Sequence, residues 1–263
     1  MTFKIVIPAR FGSSRLPGKP LLGIAGKPMI WHVYQQALAT GVSPEDIVIA
    51  TDDQRIVDAA LGFKAQVVMT SPNHESGTER LAEVVTTLGW HDEDIVVNVQ
   101  GDEPLVPPQL IILVANRLAE TPQAAMATLA ARFGDRSMLN NPNVVKVVLS
   151  EIGNAHYFSR APIPFVRDER VLSEKLNKRE FLRHIGIYSY RVATIKKVVA
   201  LAPNSHELAE SLEQLRPLCN GLAINVAVID QAPPHGVDTP EDLERVRAEI
   251  AHLSSLYPAA TPA

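Results

Sequence analysis

The stretch Ile95-Val96-Val97-Asn98-Val99-Gln100-Gly101-Asp102-Glu103-Pro104 joins an apolar run to an abrupt polar turn. Its first half is crowded with Val and Ile, as a strand would be. Residues that are apolar consecutively, and not alternately, suit a strand covered on both faces, the situation of a parallel sheet between helices. Lys4–Ile7, Ile47–Ala50 and Gln66–Met69 have the same character, and stretches of helical periodicity, Met29–Leu38 and Thr78–Leu88, lie between the runs. The order strand, helix, strand, helix predicts an α/β chain with a mostly parallel, doubly wound (Rossmann-like) sheet.

In such sheets ligands gather beyond the carboxyl ends of the strands, so polar chemistry is expected just after each run. It follows three of them. Lys4–Ile7 leads to the segment from Arg10 to Lys19, Ile47–Ala50 to Thr51-Asp52-Asp53, and Ile95–Val99 to Gln100-Gly101-Asp102-Glu103-Pro104. After Ser150 the pattern loosens through Ala161-Pro162-Ile163-Pro164 and a charged stretch from Arg167 to Arg183, which reads as an insertion. The sheet pattern returns at Ala223–Ile229, and Thr239-Pro240-Glu241-Asp242 opens a last helix. The expected organisation is a body of residues 1–154 and 223–256, an insertion over 155–222, and a disordered tail over 257–263.

With 263 residues, 46% of them hydrophobic, the chain can bury a full core. Its formal net charge of −4 lacks the positive field that nonspecific nucleic-acid or membrane-surface binding needs, so neither is expected as a partner. Cys219 is the one cysteine, which excludes an intramolecular disulfide and argues against a thiolate zinc site. The chain opens on a strand pattern without the basic and apolar regions of a signal peptide, and no run approaches the ~18 apolar residues of a membrane span. The expected location is the cytoplasm.

Residues 8 to 20, Pro-Ala-Arg-Phe-Gly-Ser-Ser-Arg-Leu-Pro-Gly-Lys-Pro, set Arg10, Arg15 and Lys19 beside Ser13, Ser14 and two glycines. Glycines admit a phosphate close to the backbone, hydroxyls and N–H groups donate to its oxygens, and the cations offset its charge. A polyphosphate is the natural guest, although an exposed basic turn has the same composition. The spacing matches neither the dinucleotide-binding glycine pattern nor the ATPase phosphate loop. Asp102 and Asp238 each follow a strand run. Magnesium takes one or two carboxylates together with phosphate oxygens, so the pair suffices for a nucleotide-bound metal. Read alone, Asp102 fits an ordinary Gly-Asp turn, and Asp238 serves equally well as a helix cap.

The motifs PARFGSSRLPGKPL, ATDD, SGTERLAEV, NVQGDEPL, NPNVVKVV, YFSRAPIPF, FLRHIGIY, LEQLR and GVDTPEDLERVR, in this order from about residue 3 to residue 250, resemble the CMP-KDO synthetases, the 3-deoxy-manno-octulosonate cytidylyltransferases. The resemblance implies a nucleotide-diphospho-sugar transferase fold with an inserted dimerisation and sugar-binding subdomain. It implies a magnesium-dependent homodimer that joins CTP to the eight-carbon sugar acid KDO, releasing pyrophosphate for lipopolysaccharide synthesis. Carried over by position, Arg10, Ser13, Ser14, Arg15 and Lys19 hold the triphosphate, and Asp52, Ser76, Gly77, Arg80 and Gln100 surround the nucleoside. Asp102 and Asp238 match the metal carboxylates. Arg160, His184, Tyr188, Glu213 and Gln214 match the sugar-acid pocket. The chain departs from the family after LEQLR, where Cys219-Asn220 replaces an aromatic pair.

The residues of that pocket have plainer readings when taken singly. An isolated histidine such as His184 is usually structural, but in an extended segment it would share a face with Tyr188. Arg160 could be a solvated arginine, or the planar, permanent cation that a sugar carboxylate needs. Leu208, Leu212 and Leu215 recur at helical spacing through Glu207–Leu215, which predicts a core-facing helix with Glu213 and Gln214 on its open side. No Ser-His-Asp or Cys-His set is evident, so direct displacement at the α-phosphorus is expected, with Lys19, Asp102 and Asp238 as catalytic groups. Rival readings are activation of 8-amino-KDO or a sialic acid, and a catalytically silent nucleotide-binding regulator.

Overall fold

The computed structural model describes residues 2–12, 16–74, 76–133, 136–168 and 181–256. Ser13, Ser14 and Arg15 of the basic loop, much of the charged stretch beyond Arg167 and the tail 257–263 lie outside the described residues. The strands are β1 Lys4–Ala9, β2 Gly23–Ile24, β3 Lys27–Pro28, β4 Ile47–Thr51, β5 Gln66–Met69, β6 Ile95–Asn98, β7 Met126–Arg132, β8 Lys146–Leu149, β9 Ala155–Ser159, β10 Leu182–Arg191 and β11 Ile224–Ile229. No helix of the described residues is long and apolar enough to cross a membrane.

The chain forms two compact units. The first comprises Lys4–Val84, Asn98–Ile111 and Pro233–Ala263. Here β1, β4 and β5 pair in parallel, with Ile5 opposite Ile47 and Val48 opposite Gln66. Every residue of β4 is buried, as its unbroken apolar run requires. β5 differs from expectation: it ends the strand order, and Met69 is 47% exposed. An edge strand reads like an interior one when its apolar residues are consecutive, because composition does not report the missing neighbour. Helix Met29–Leu38 turns Met29, Ile30, Val33, Tyr34 and Ala37 inward, following its periodicity.

Two close backbone approaches set the polar ends of this unit. A Cβ on Gly101 would stand 2.7 Å from the Pro8 carbonyl oxygen, and one on Gly236 would stand 2.9 Å from that of Asp102. Val237 N–H donates to the Asp102 carbonyl at 2.8 Å. The Val237 side chain is fully buried with Ile24, Met29, Leu243 and Val246, which ties the stretch before helix Pro240–Leu256 into the core. Asp238 thus leaves the core next to Asp102.

The second unit comprises Met1–Phe3, Val85–Val97 and Ile112–Ala232. β11 pairs in parallel with β7, whereas β10 runs antiparallel to β7 and β8, and β8 antiparallel to β9. The mixed α/β class is as expected, with antiparallel strands entering through 146–191. A bulge in β10 sets Ile185 opposite Leu129 and Tyr188 opposite Thr128. Two extra residues preserve the side-chain parity that one would reverse. The predicted continuous helix over Glu207–Leu215 does not form. Helix Ser205–Glu210 stops at Ser211, whose φ of 51° is left-handed, and a new helix runs over Leu215–Cys219. Leu208, predicted to face the core, is 70% exposed.

Because Pro8 belongs to a paired strand and cannot yield, Gly101→Ala is expected to cost about 1–3 kcal/mol. Gly23, whose Cβ position is open, is the control: Gly23→Ala should stay within about 0.5 kcal/mol of the wild type in urea unfolding.

Candidate active site

In the first unit three sequence-distant charges converge. Lys19 Nζ lies 2.6 Å from Asp102 Oδ2, 3.2 Å from Asp238 Oδ1 and 2.9 Å from the Val237 carbonyl oxygen. The short helix Lys19–Leu21, entered through Gly18 at a φ of 68°, brings the lysine there. A Cβ on Gly18 would meet the Phe11 ring at 3.1 Å, and Gly18 N–H donates to the Phe11 carbonyl. The Arg55 guanidinium covers that ring at 3.4 Å while bonding Asp53 through two nitrogens. Asp238 does not cap the final helix. Thr239 does, through a reciprocal pair in which Asp242 N–H donates to the Thr239 hydroxyl and Thr239 N–H to the Asp242 carboxylate. That bonding, offset by burial, leaves Asp242 below its ordinary pKa.

Two carboxylates and a carbonyl around one positive charge make an all-oxygen donor set, which suits a hard divalent cation. Arg10 is exposed and has no ionic partner among the described residues. Arg80, buried, donates to Asp52 at 3.0 Å and to the Thr70 hydroxyl, so these two predicted nucleoside residues bind each other. Asp52 also receives a long bond from Phe11 N–H, at 3.4 Å. Ser76 accepts from Glu79 N–H at the start of helix Gly77–Thr87. Gln100 lies half-buried one residue before Gly101.

The second unit assembles the other predicted cluster. His184 and Tyr188 lie on one face of β10 with ring centroids 5.3 Å apart, and Phe158 meets His184 edge-on at 5.0 Å. The Thr128 hydroxyl is 3.1 Å from His184 Nε2 and 2.8 Å from the Ile187 carbonyl. With its proton given to that carbonyl, Thr128 accepts from His184, so the neutral imidazole carries its hydrogen on Nε2. Enclosure by protein, and secondarily the Arg183 charge, pushes the His184 pKa down to about 3. Burial, with Tyr190 and Glu213 near by, raises the Tyr188 phenol well above its usual value. Among the described residues, the Tyr188 hydroxyl, Glu213 Oε1 and Gln214 Nε2 are buried and find no hydrogen-bond partner. Unmet polar atoms cost about 1–3 kcal/mol each, a cost that a ligand rich in hydroxyls would relieve.

Arg160 is held more tightly than expected. Its guanidinium donates to the carbonyls of Glu210, Pro142 and Ser211 at 2.7, 3.0 and 3.3 Å. Among the described residues, three of its five N–H groups are thereby engaged.

The cytidylyltransferase family model matches residues 4–224. The chain belongs to the cytidylyltransferase family. It is 55% identical to the 3-deoxy-manno-octulosonate cytidylyltransferase of Vibrio vulnificus (strain YJ016) over 97% of this chain and 100% of the relative. The corresponding Hahella chejuensis (strain KCTC 2396) enzyme is 54% identical over 96% and 99%. A solved CMP:2-keto-3-deoxy-manno-octonic acid synthetase complexed with CTP superposes with a TM-score of 0.87 at 42% identity, covering 96% of this chain and 100% of that one. The expected nucleotidyltransferase-like fold is therefore present.

Several supports escaped the sequence reading. Lys146 is fully buried, its ammonium donating to the carbonyls of Asn141, Val144 and Arg160 at 3.0, 2.7 and 2.5 Å. Burial lowers its pKa, the Glu210 charge opposing. A lysine inside the apolar run Val144-Val145-Lys146-Val147-Val148 was the available signal. Gly236 and the Val237 carbonyl carried none, since backbone approach leaves no composition signature.

His184 titrates lower in the folded chain than its ordinary value of 6.5. The unfolded chain therefore takes up the proton first, and stability falls as pH drops from about 6.5 toward 3. Unfolding free energies of wild type and His184→Gln, measured across that window, should converge as the pH falls.

Proposed function

We propose that this chain transfers the cytidylyl group of CTP to 3-deoxy-manno-octulosonate, giving CMP-KDO and pyrophosphate for lipopolysaccharide synthesis. The observation that carries the reading is the meeting of Asp102, Asp238 and Lys19 beside the basic glycine loop. Near-full-length identity to KDO cytidylyltransferases supports the choice of sugar acid. In this proposal Arg10, Lys19 and, by sequence, Ser13, Ser14 and Arg15 receive the triphosphate, and Asp52, Ser76, Gly77, Arg80 and Gln100 surround the nucleoside. Arg160, His184, Tyr188, Glu213 and Gln214 receive the sugar acid.

Asp102 and Asp238 would hold magnesium. That ion, when bound, supplies positive charge to phosphate oxygens and eases proton loss from the sugar's anomeric hydroxyl. The hydroxyl oxygen, giving up its proton to solvent, bonds to the α-phosphorus as the bond to the pyrophosphate oxygen breaks, with no covalent enzyme intermediate. Lys19 and the loop arginines offset charge on the departing pyrophosphate. His184, neutral at working pH, donates through Nε2 and keeps its ring fixed, while the protonated Tyr188 phenol offers a donor to sugar hydroxyls. The Arg160 guanidinium meets the sugar carboxylate. The segment 155–222 is proposed to carry sugar binding and homodimer contacts, and the cytoplasm is the proposed location.

Purified protein with magnesium should release pyrophosphate from CTP and KDO, but not from ATP or UTP with KDO. Asp102→Asn should lower the rate at least about 100-fold with the fold retained. Preference for 8-amino-KDO or a sialic acid would move the sugar assignment, and a folded protein that binds CTP but releases none with any sugar would overturn it.

A further inference from the structure

Glu210 has no role in the proposed reaction, yet several contacts meet on it. Its two carboxylate oxygens accept from different groups at the end of β9: Oε1 from the Ser159 hydroxyl at 2.6 Å and Oε2 from Arg160 N–H at 2.9 Å. Its carbonyl accepts from Arg160 Nε at 2.7 Å, and the next carbonyl, that of Ser211, from Arg160 Nη2. The strand end is itself fixed from the other side by the buried ammonium of Lys146 on the Arg160 carbonyl. Arg160 and Glu210, with their neighbours Ser159 and Ser211, thus join a sheet end to a helix end through four hydrogen bonds.

The turn beyond Glu210 gives this splice its consequence. Ser211 takes a left-handed conformation that an L-residue adopts at a cost, and the chain reverses there. Leu212 then enters the core, and Glu213 and Gln214 come next with their unpaired, buried Oε1 and Nε2 atoms. The far side of the turn is secured separately, by Arg216 donating to both Glu207 oxygens at 2.8 and 2.6 Å. That ion pair holds the two helices to each other, whereas the Glu210 contacts hold the turn to β9.

We infer that Glu210 is a positioning residue for the sugar acid: by anchoring the 211–214 turn to Ser159 and Arg160, it sets where Glu213 and Gln214 present their polar atoms. This role rests on the proposed sugar-acid assignment of Glu213 and Gln214. A carboxylate suits the task because it accepts two bonds in fixed directions without donating. Glutamine can keep its carbonyl oxygen on the Arg160 N–H, but it meets the Ser159 hydroxyl with an N–H, so that hydroxyl must turn from donor to acceptor and the charge assistance is lost.

The test separates KM for KDO from KM for CTP. Glu210→Ala should raise KM for KDO at least about tenfold and leave KM for CTP within about twofold, with Glu210→Gln intermediate. Ser159→Ala removes one donor to the same carboxylate, and should shift KM for KDO in the same direction by less, should Glu210→Ala fail to fold. An unchanged KM for KDO in a folded variant, or an equal rise in both constants, overturns the inference. Glu213→Ala is measured alongside. If it raises KM for KDO while Glu210→Ala and Ser159→Ala do not, only the positioning role is wrong. If it too is silent, the sugar-acid assignment of the 213–214 pair is wrong.

Discussion

Two ionised carboxylates brought together repel unless a positive charge lies between them, and the first unit is organised around that constraint. Asp102 and Asp238 lie 136 positions apart in the chain yet share one ammonium, that of Lys19. Their mutual repulsion, screened by the solvent that reaches both side chains, is offset by the shared positive charge. Delivering these groups to one point accounts for much of the local architecture. Gly101 lets β1 pass close to the turn after β6, Val237 is anchored in the core, and left-handed Gly18 opens the short helix that carries Lys19.

The second unit solves a different problem, holding polar groups out of water. His184 stays uncharged because enclosure disfavours its cation. Tyr188 stays protonated for the same reason acting on the opposite charge. Burial of Glu213 Oε1 and Gln214 Nε2 without partners is tolerable only where the backbone that carries them is fixed by stronger contacts. The bidentate Glu207–Arg216 pair and the Arg160–Glu210 splice are such contacts.

Legibility in the sequence followed the reach of the interaction concerned. Strands β1, β4 and β6 and helix Met29–Leu38 were readable because burial on both faces, or on one helical face, writes itself into consecutive residues, whereas β5 reads the same way although it is an edge strand. The positions of Lys19 and Asp102 beyond strand ends were readable from the order of apolar runs and polar turns. Asp238 was ambiguous locally, and only the spatial arrangement, with Thr239 taking the cap and Asp238 turning to Lys19, separates its two readings. Leu208, Leu212 and Leu215 misled because helical spacing cannot register a single left-handed residue, Ser211, that ends the helix between them. Arg160 looked like a free cation from sequence, and its three backbone acceptors come from segments far along the chain.

The central claim is that Asp102 and Asp238 make one cation site serving the nucleotide. Binding of Mn2+ as a paramagnetic substitute for magnesium, titrated by electron paramagnetic resonance in the presence of CTP, addresses it without turnover. Asp238→Asn and Asp102→Asn should each weaken Mn2+ binding to the protein–nucleotide complex at least about tenfold, and the double variant should be little worse than either alone. Unchanged Mn2+ affinity in a folded Asp238→Asn variant would contradict the account.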